Sequence, residues 1–173
     1  MRCRTLAHIH ALDHPVYDCH MHVYGAAAGR DGALDEAHCD RVIEANDLLG
    51  IDISCAADGR LTGDLKYEDF HRSNDRVQQA MARHPGRFLG WCFVNPGDPR
   101  ALEEMDQRIR DEGFIGVKMY NQFLINSPET APLLERVSEW QVPVLMHAGR
   151  CMDAGTRQRQ PFISQADHFV DAA

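Results

Sequence analysis

Five apolar runs recur along this chain at a spacing that few folds can use. They begin near residues 16, 51, 88, 115 and 142, about 27 to 37 residues apart, and each gap holds one stretch of helical periodicity. Antiparallel strands close through short turns, whereas gaps filled by a helix are the crossovers of βαβ units, which demand parallel strands. Two architectures accept such a series: an open doubly wound sheet and a (β/α)8 barrel. The chain carries no glycine-rich phosphate fingerprint of the first kind. Polar residues close strands 1, 4 and 5, and a barrel gathers those ends at one mouth. The fold class expected is therefore α/β, a partial (β/α)8 TIM barrel covering strands 1 to 5 and their helices. Residues 1–173 make one incomplete barrel domain, with 1–15 as a lead-in and 16–173 running from the first strand to the fifth helix. The rival, an open sheet that binds a small ligand without chemistry, needs helices on both faces.

Periodicity places a helix over 34–49, ended by Gly50, and a strand over 51–57. The polar loop 58–67 is long enough to carry substrate contacts. Asn74 and Asp75 are expected to cap a helix that reaches His84 and stops at Pro85-Gly86. After the strand 88–94, residues 100–112 carry Leu102, Met105 and Ile109 on one stripe, with Gly113 as C-cap. Strand 115–120, helix 129–140, strand 142–148, a loop to Pro161 and a helix begun by Ser164 complete the chain.

With 44% hydrophobic and 25% charged residues in 173, the composition is that of a globular protein with one core. A net charge of -8 without clustered Lys or Arg argues against a nucleic-acid surface. No run approaches the roughly 20 apolar residues of a membrane span. The start M-R-C-R-T-L-A-H lacks the apolar core of a secretory signal, so a cytoplasmic location is the default. The six cysteines are scattered without a Cys-x-x-Cys, which speaks against a disulfide framework and a thiolate zinc site. Cys19, Cys55 and Cys92 fall inside strand runs, where a free thiol acts as a small hydrophobe.

The first strand, V-Y-D-C-H-M-H-V from Val16 to Val23, carries the chemistry. On a period of two, Asp18, His20 and His22 share one face, and Tyr17, Cys19, Met21 and Val23 the other. Two imidazoles two residues apart at a strand end can bind one metal ion, and Asp18 could hold a ligand imidazole in its metal-binding tautomer. A second His-x-His, His8 and His10, lies in the lead-in without sustained alternation and is not assigned a role. His147 closes the fifth strand; alone it reads as a hydrogen-bonded strand-end histidine, and with His20 and His22 it completes the three protein ligands usual in a catalytic zinc site. Lys118, ending the fourth strand on the parity of Gly116 and Tyr120, could be a carbamylated bridge between metals, a cation for an anionic substrate, or a barrel-mouth lysine in an ion pair. Arg150, Arg157 and Arg159 after the fifth strand also hint at an anionic substrate.

Several segments in order, D-C-H-M-H-V at 18–23, N-D-R-V-Q-Q-A-M-A-R-H-P-G-R-F at 74–88, F-V-N-P at 93–96, G-V-K-M-Y at 116–120 and V-P-V-L-M-H-A-G at 142–149, give the chain its likeness to a known family. It resembles the amidohydrolase superfamily, within it the amidohydrolase-related branch that includes a metal-dependent decarboxylase of an amino-carboxymuconate semialdehyde. The resemblance implies that His20, His22 and His147 are metal ligands and that Lys118 faces a small-molecule substrate; Asp18 is expected behind the ligands, and Tyr120 and Arg150 beside Lys118 at the substrate. The implied cofactor is a divalent metal, Zn2+ first. The implied reaction is hydrolysis of an amide, ester or lactone carbonyl, with decarboxylation on the same scaffold as the alternative.

In that family the barrel continues through a sixth strand with another histidine and an eighth with a proton-handling aspartate. Neither can be matched here, and such barrels typically need about 250 residues. The catalytic acid–base residues are therefore unknown, and a non-catalytic truncated fragment is the remaining alternative. Unpaired apolar edges on strands one and five predict a homo-oligomer or a complementing C-terminal segment. No nucleic-acid or membrane partner is expected.

Overall fold

The computed structural model describes residues 13–26, 32–58, 65–149 and 162–173. Its strands are β1 (Tyr17–Val23), β2 (Ile53–Asp58), β3 (Phe88–Phe93), β4 (Gly116–Met119) and β5 (Val144–Met146), ordered β1-β2-β3-β4-β5. The helices are α1 (Glu36–Leu49), α2 (Tyr67–Arg83), α3 (Ala101–Met105), α4 (Ala131–Trp140) and α5 (Ala166–Ala172), and α3 runs on into a π-helical turn over Asp106–Asp111. The pairs β1/β2, β2/β3 and β4/β5 are parallel. A doubly wound sheet reverses its strand order at a switch point. Here the strands follow chain order, with a helix in every gap, and the fold is a partial (β/α)8 TIM barrel. Among the described residues, no helix is long and apolar enough to cross a membrane.

The chain divides into two compact units, Met1–Trp91 and Cys92–Ala173. In the first, Val23, Ala56, Ala57, Phe70, Val77, Ala80 and Phe88 form the core. α1 opens on Asp35, whose carboxylate accepts the His38 N–H at 2.9 Å, and closes on Gly50 in the left-handed region. α2 departs from expectation. It starts at Tyr67, with Asp69 accepting the Lys66 N–H at 2.9 Å, and Asn74 and Asp75 lie in its middle. Phe70, Ser73, Asn74, Val77 and Ala80 are all buried, so one helical stripe gains from the extra turns and overrides the local capping signal of Asn-Asp.

In the second unit Phe93, Val94, Met105, Phe114, Val117, Met119, Leu133 and Val137 are buried. The α3 stripe is also corrected. Ala101, Glu104, Met105 and Arg108 are buried, while Leu102 and Ile109 are only half-buried. Burial of Arg108 is tolerated because its Nε donates to Glu104 at 2.8 Å and its Nη1 to Glu112 at 2.7 Å. Gly113 then takes a φ of 78°, which a side chain would resist. β4 is buried throughout, whereas the three residues of β5 are half-buried.

Candidate active site

The C-terminal end of β1 presents two imidazoles in the first unit. His20 is exposed and His22 half-buried, with ring centroids 4.9 Å apart at 76°. His22 Nδ1 lies 3.3 Å from the Ala57 carbonyl oxygen at the end of β2. A carbonyl only accepts, so Nδ1 carries the proton and Nε2 keeps the lone pair that a metal needs. On this observation the pair suits a divalent ion. The His22 carbonyl in turn accepts from His38 Nε2 at 3.1 Å, and the Tyr24 ring lies 4.8 Å from that of His38 and 6.4 Å from that of His22.

Asp18 does not take the place expected of it. β1 shifts register between Asp18 and Met21, so Asp18 pairs with Ser54 while His22 pairs with Ala57. One extra β1 residue is taken up between these pairs, and the parity of the partners puts Asp18 and His22 on opposite faces. The Asp18 carboxylate accepts the His20 backbone N–H at 3.1 Å. The irregularity also leaves Cys19 exposed, unlike the buried Cys55 and Cys92, with its carbonyl accepting from Trp91 Nε1 at 3.2 Å.

In the second unit the ends of β3, β4 and β5 build a different surface. The Tyr120 ring stands 4.1 Å from that of His147 and 6.5 Å from that of Phe93. The His147 N–H donates to the Met119 carbonyl at 3.0 Å, which seats the half-buried imidazole just past β5. Lys118 is 2% exposed, and its Nζ has no hydrogen-bond partner among the described residues. The Tyr120 ring lies 6.0 Å from this ammonium. Burial in apolar surroundings pulls its pKa down to about 8. Gln122 Oε1, also buried, likewise has no hydrogen-bond partner among the described residues. Close by in sequence, Phe123 packs so tightly on Gly97 that a Cβ there would sit 2.6 Å from its ring.

Arg150, Arg157, Arg159, His8 and His10 lie outside the described residues. Among the described residues, no group of three or more His, Cys, Asp or Glu is gathered closely enough to hold a metal. A cleft of about 740 Å³, lined by Asp13, His14, Asn46, Asp52 and Arg87, opens at the N-terminal ends of β1 and β2. Barrel chemistry resides at the opposite, C-terminal ends, so this cleft is not the active site. His38 and Gln122 carry no signal in the sequence. His38 follows the Asp35 cap by three residues inside an ordinary helix, and Gln122 sits in a loop, so neither carries a motif.

The family model described as Amidohydrolase matches residues 17–173. The chain belongs to the amidohydrolase family. No curated protein sequence matches this amidohydrolase chain. Among solved structures, a protein assigned as an amidohydrolase from Staphylococcus aureus superposes with a TM-score of 0.69 at 17% identity, covering 84% of this chain and 50% of its own. The 2,6-dihydroxybenzoate decarboxylase from Rhizobium gives a TM-score of 0.62 at 18% identity, covering 85% and 54%. The 5-carboxyvanillate decarboxylase from Novosphingobium aromaticivorans, solved with bound manganese, gives 0.56 at 24% identity, covering 63% and 34%. The chain thus spans about half the length of the first two structures and a third of the last. At these identities the likeness establishes the fold.

Proposed function

We propose that this amidohydrolase chain supplies the metal-binding and substrate-anchoring part of a divalent-metal-dependent hydrolase acting on the carbonyl of a small anionic amide, ester or lactone. The observation that carries it is the donation of His22 Nδ1 to the Ala57 carbonyl at 3.3 Å, which leaves the Nε2 lone pair available to a ligand. His20 and His22 from β1 are the proposed ligands, with His147 beyond β5 as a proposed third that the described residues do not gather with them; Zn2+ is the first candidate and Mn2+ the second. A divalent ion supplies Lewis-acid polarisation of a carbonyl and activation of water. The chain's own contribution is orientation. Asp18 tethers the backbone of His20, and the Tyr120 ring stacks against the His147 imidazole and limits its rotation. Lys118 offers a buried ammonium without a hydrogen-bond partner among the described residues, a place for a substrate carboxylate, with Arg150 as a second cation. Lowering the dielectric around that ammonium strengthens its pull on an anion.

Decarboxylation is the second reading, favoured by the two decarboxylases that share the fold. Both readings use the same ligands and the same cation. They part on whether CO2 or an amine, alcohol or ring-opened acid leaves. The half-buried β5 and the exposed residues of β1 further support association with a second copy or a complementing C-terminal segment. A melting temperature independent of protein concentration, from a monomer, would remove that part. The function is tested by assaying metal-loaded protein against lactones, anilides and hydroxybenzoates, following acid release and CO2 separately. Lys118→Met should raise KM for anionic substrates by roughly tenfold or more, as loss of a charge-assisted contact does. An unchanged KM across anionic and neutral substrates would count against the assignment.

A further inference from the structure

The stretch N-D-R at 74–76 lies in mid-helix, where it carries Arg76 inward. Arg76 is 4% exposed, and its Nε donates to the carboxylate of Asp58 at 2.6 Å. Asp58 is the last residue of β2, itself 3% exposed, and it directly follows Ala57, whose carbonyl takes the His22 imidazole. From the same guanidinium, Nη1 donates to the Gly32 carbonyl at 3.1 Å. Gly32 lies in the return arm of the β1–α1 connection. There Gly25 bridges Leu34, Ala26 N–H donates to Ala33 at 2.6 Å, and Asp35 N–H donates to Tyr24 at 2.7 Å. Arg76 therefore ties together the strand end that orients His22 and the connection that leaves His22 for α1. A planar fork with several donors can serve both acceptors, which a single ammonium cannot do with the same geometry.

The geometry points to Arg76, with Asp58, as a positioning residue that holds the Ala57 carbonyl against His22 and so sets the imidazole in its Nδ1-protonated, metal-competent tautomer. Its use in metal binding rests on the assignment of His20 and His22 as ligands; the tautomer does not. With Arg76 removed, the Asp58 carboxylate is left buried without its guanidinium, and the end of β2 and the Gly25–Leu34 connection lose their common tie.

The test reads the His22 ring nitrogens by 15N NMR in the metal-free full chain. Wild-type His22 is expected as the Nδ1–H form. Arg76→Met should mix the tautomers and weaken Zn2+ binding by roughly tenfold, within the range seen when outer partners of metal ligands are lost. Arg76→Lys should recover the Asp58 contact and only part of the tautomer bias. Should Arg76→Met fail to fold, the pair Asp58→Asn with Arg76→Met removes both charges and is read in its place. An unchanged Nδ1–H signal in whichever of these variants is folded overturns the proposal. A wild-type Nδ1–H signal lost in the variants, from a chain that binds no Zn2+, upholds the positioning role and removes the metal assignment instead.

Discussion

The ends of β1 and of β4 solve opposite problems with polar side chains. At β1 the imidazole of His22 sits half-buried with one nitrogen engaged by a backbone carbonyl, and its carbonyl is taken by His38. At β4 a lysine is buried beside Tyr120 with no hydrogen-bond acceptor for its ammonium among the described residues. A polar group whose geometry is already satisfied is prepared for a ligand; one left unsatisfied lowers stability until a ligand arrives. The first arrangement suits a resident ion and the second an incoming anion.

Lys118 should give the largest effect. Its folded pKa of about 8 lies below the ordinary 10.5, so between those values the unfolded chain binds more protons than the folded one. Stability should therefore rise from pH 8 to 10.5, and the cost of the buried charge is fully present below pH 8. Lys118→Met should stabilise the protein at pH 7 by about 3 kcal/mol and flatten that rise, as read by urea melts across pH. A destabilised variant would show that the ammonium has a partner. Next, His147→Ala should weaken Zn2+ binding by at least ~10-fold; equal affinity would take His147 out of the ligand set. Tyr120→Leu removes the ring between Phe93 and His147 and should cost about 1 kcal/mol, measurable in the same urea series. The smallest contrast is among thiols. Burial pushes Cys39 up to about 11 and also raises Cys55 and Cys92. Cys19, exposed by the β1 irregularity, should alkylate before these three in peptide-resolved labelling. Faster reaction at Cys55 would mean that β1 does not cover β2 as described.

The strands were legible because each is an apolar run bounded by Gly, Pro or Asn, and the strand-helix alternation follows from their spacing. His20, His22 and His147 could be singled out because each ends or follows such a run. What sequence could not show is register. A single extra residue between Asp18 and Met21 changes which side chains share a face, and no residue type in Asp-Cys-His-Met announces it. The Glu104–Arg108–Glu112 ladder, with Glu104 and Arg108 buried, was hidden for another reason. Charged residues at helical spacing read as a solvated face until their mutual pairing is seen. Arg76 and Asp58, close in space yet 18 residues apart in sequence, were invisible in the same way.

The central claim is that the β1 histidines hold a divalent ion, and native mass spectrometry of the full chain grown with zinc, beside His22→Ala, tests it most directly. The account predicts about one ion per chain in the wild type, in whatever oligomer forms, and loss of most of it in His22→Ala. A metal-free wild type, or equal occupancy in the variant, would contradict it.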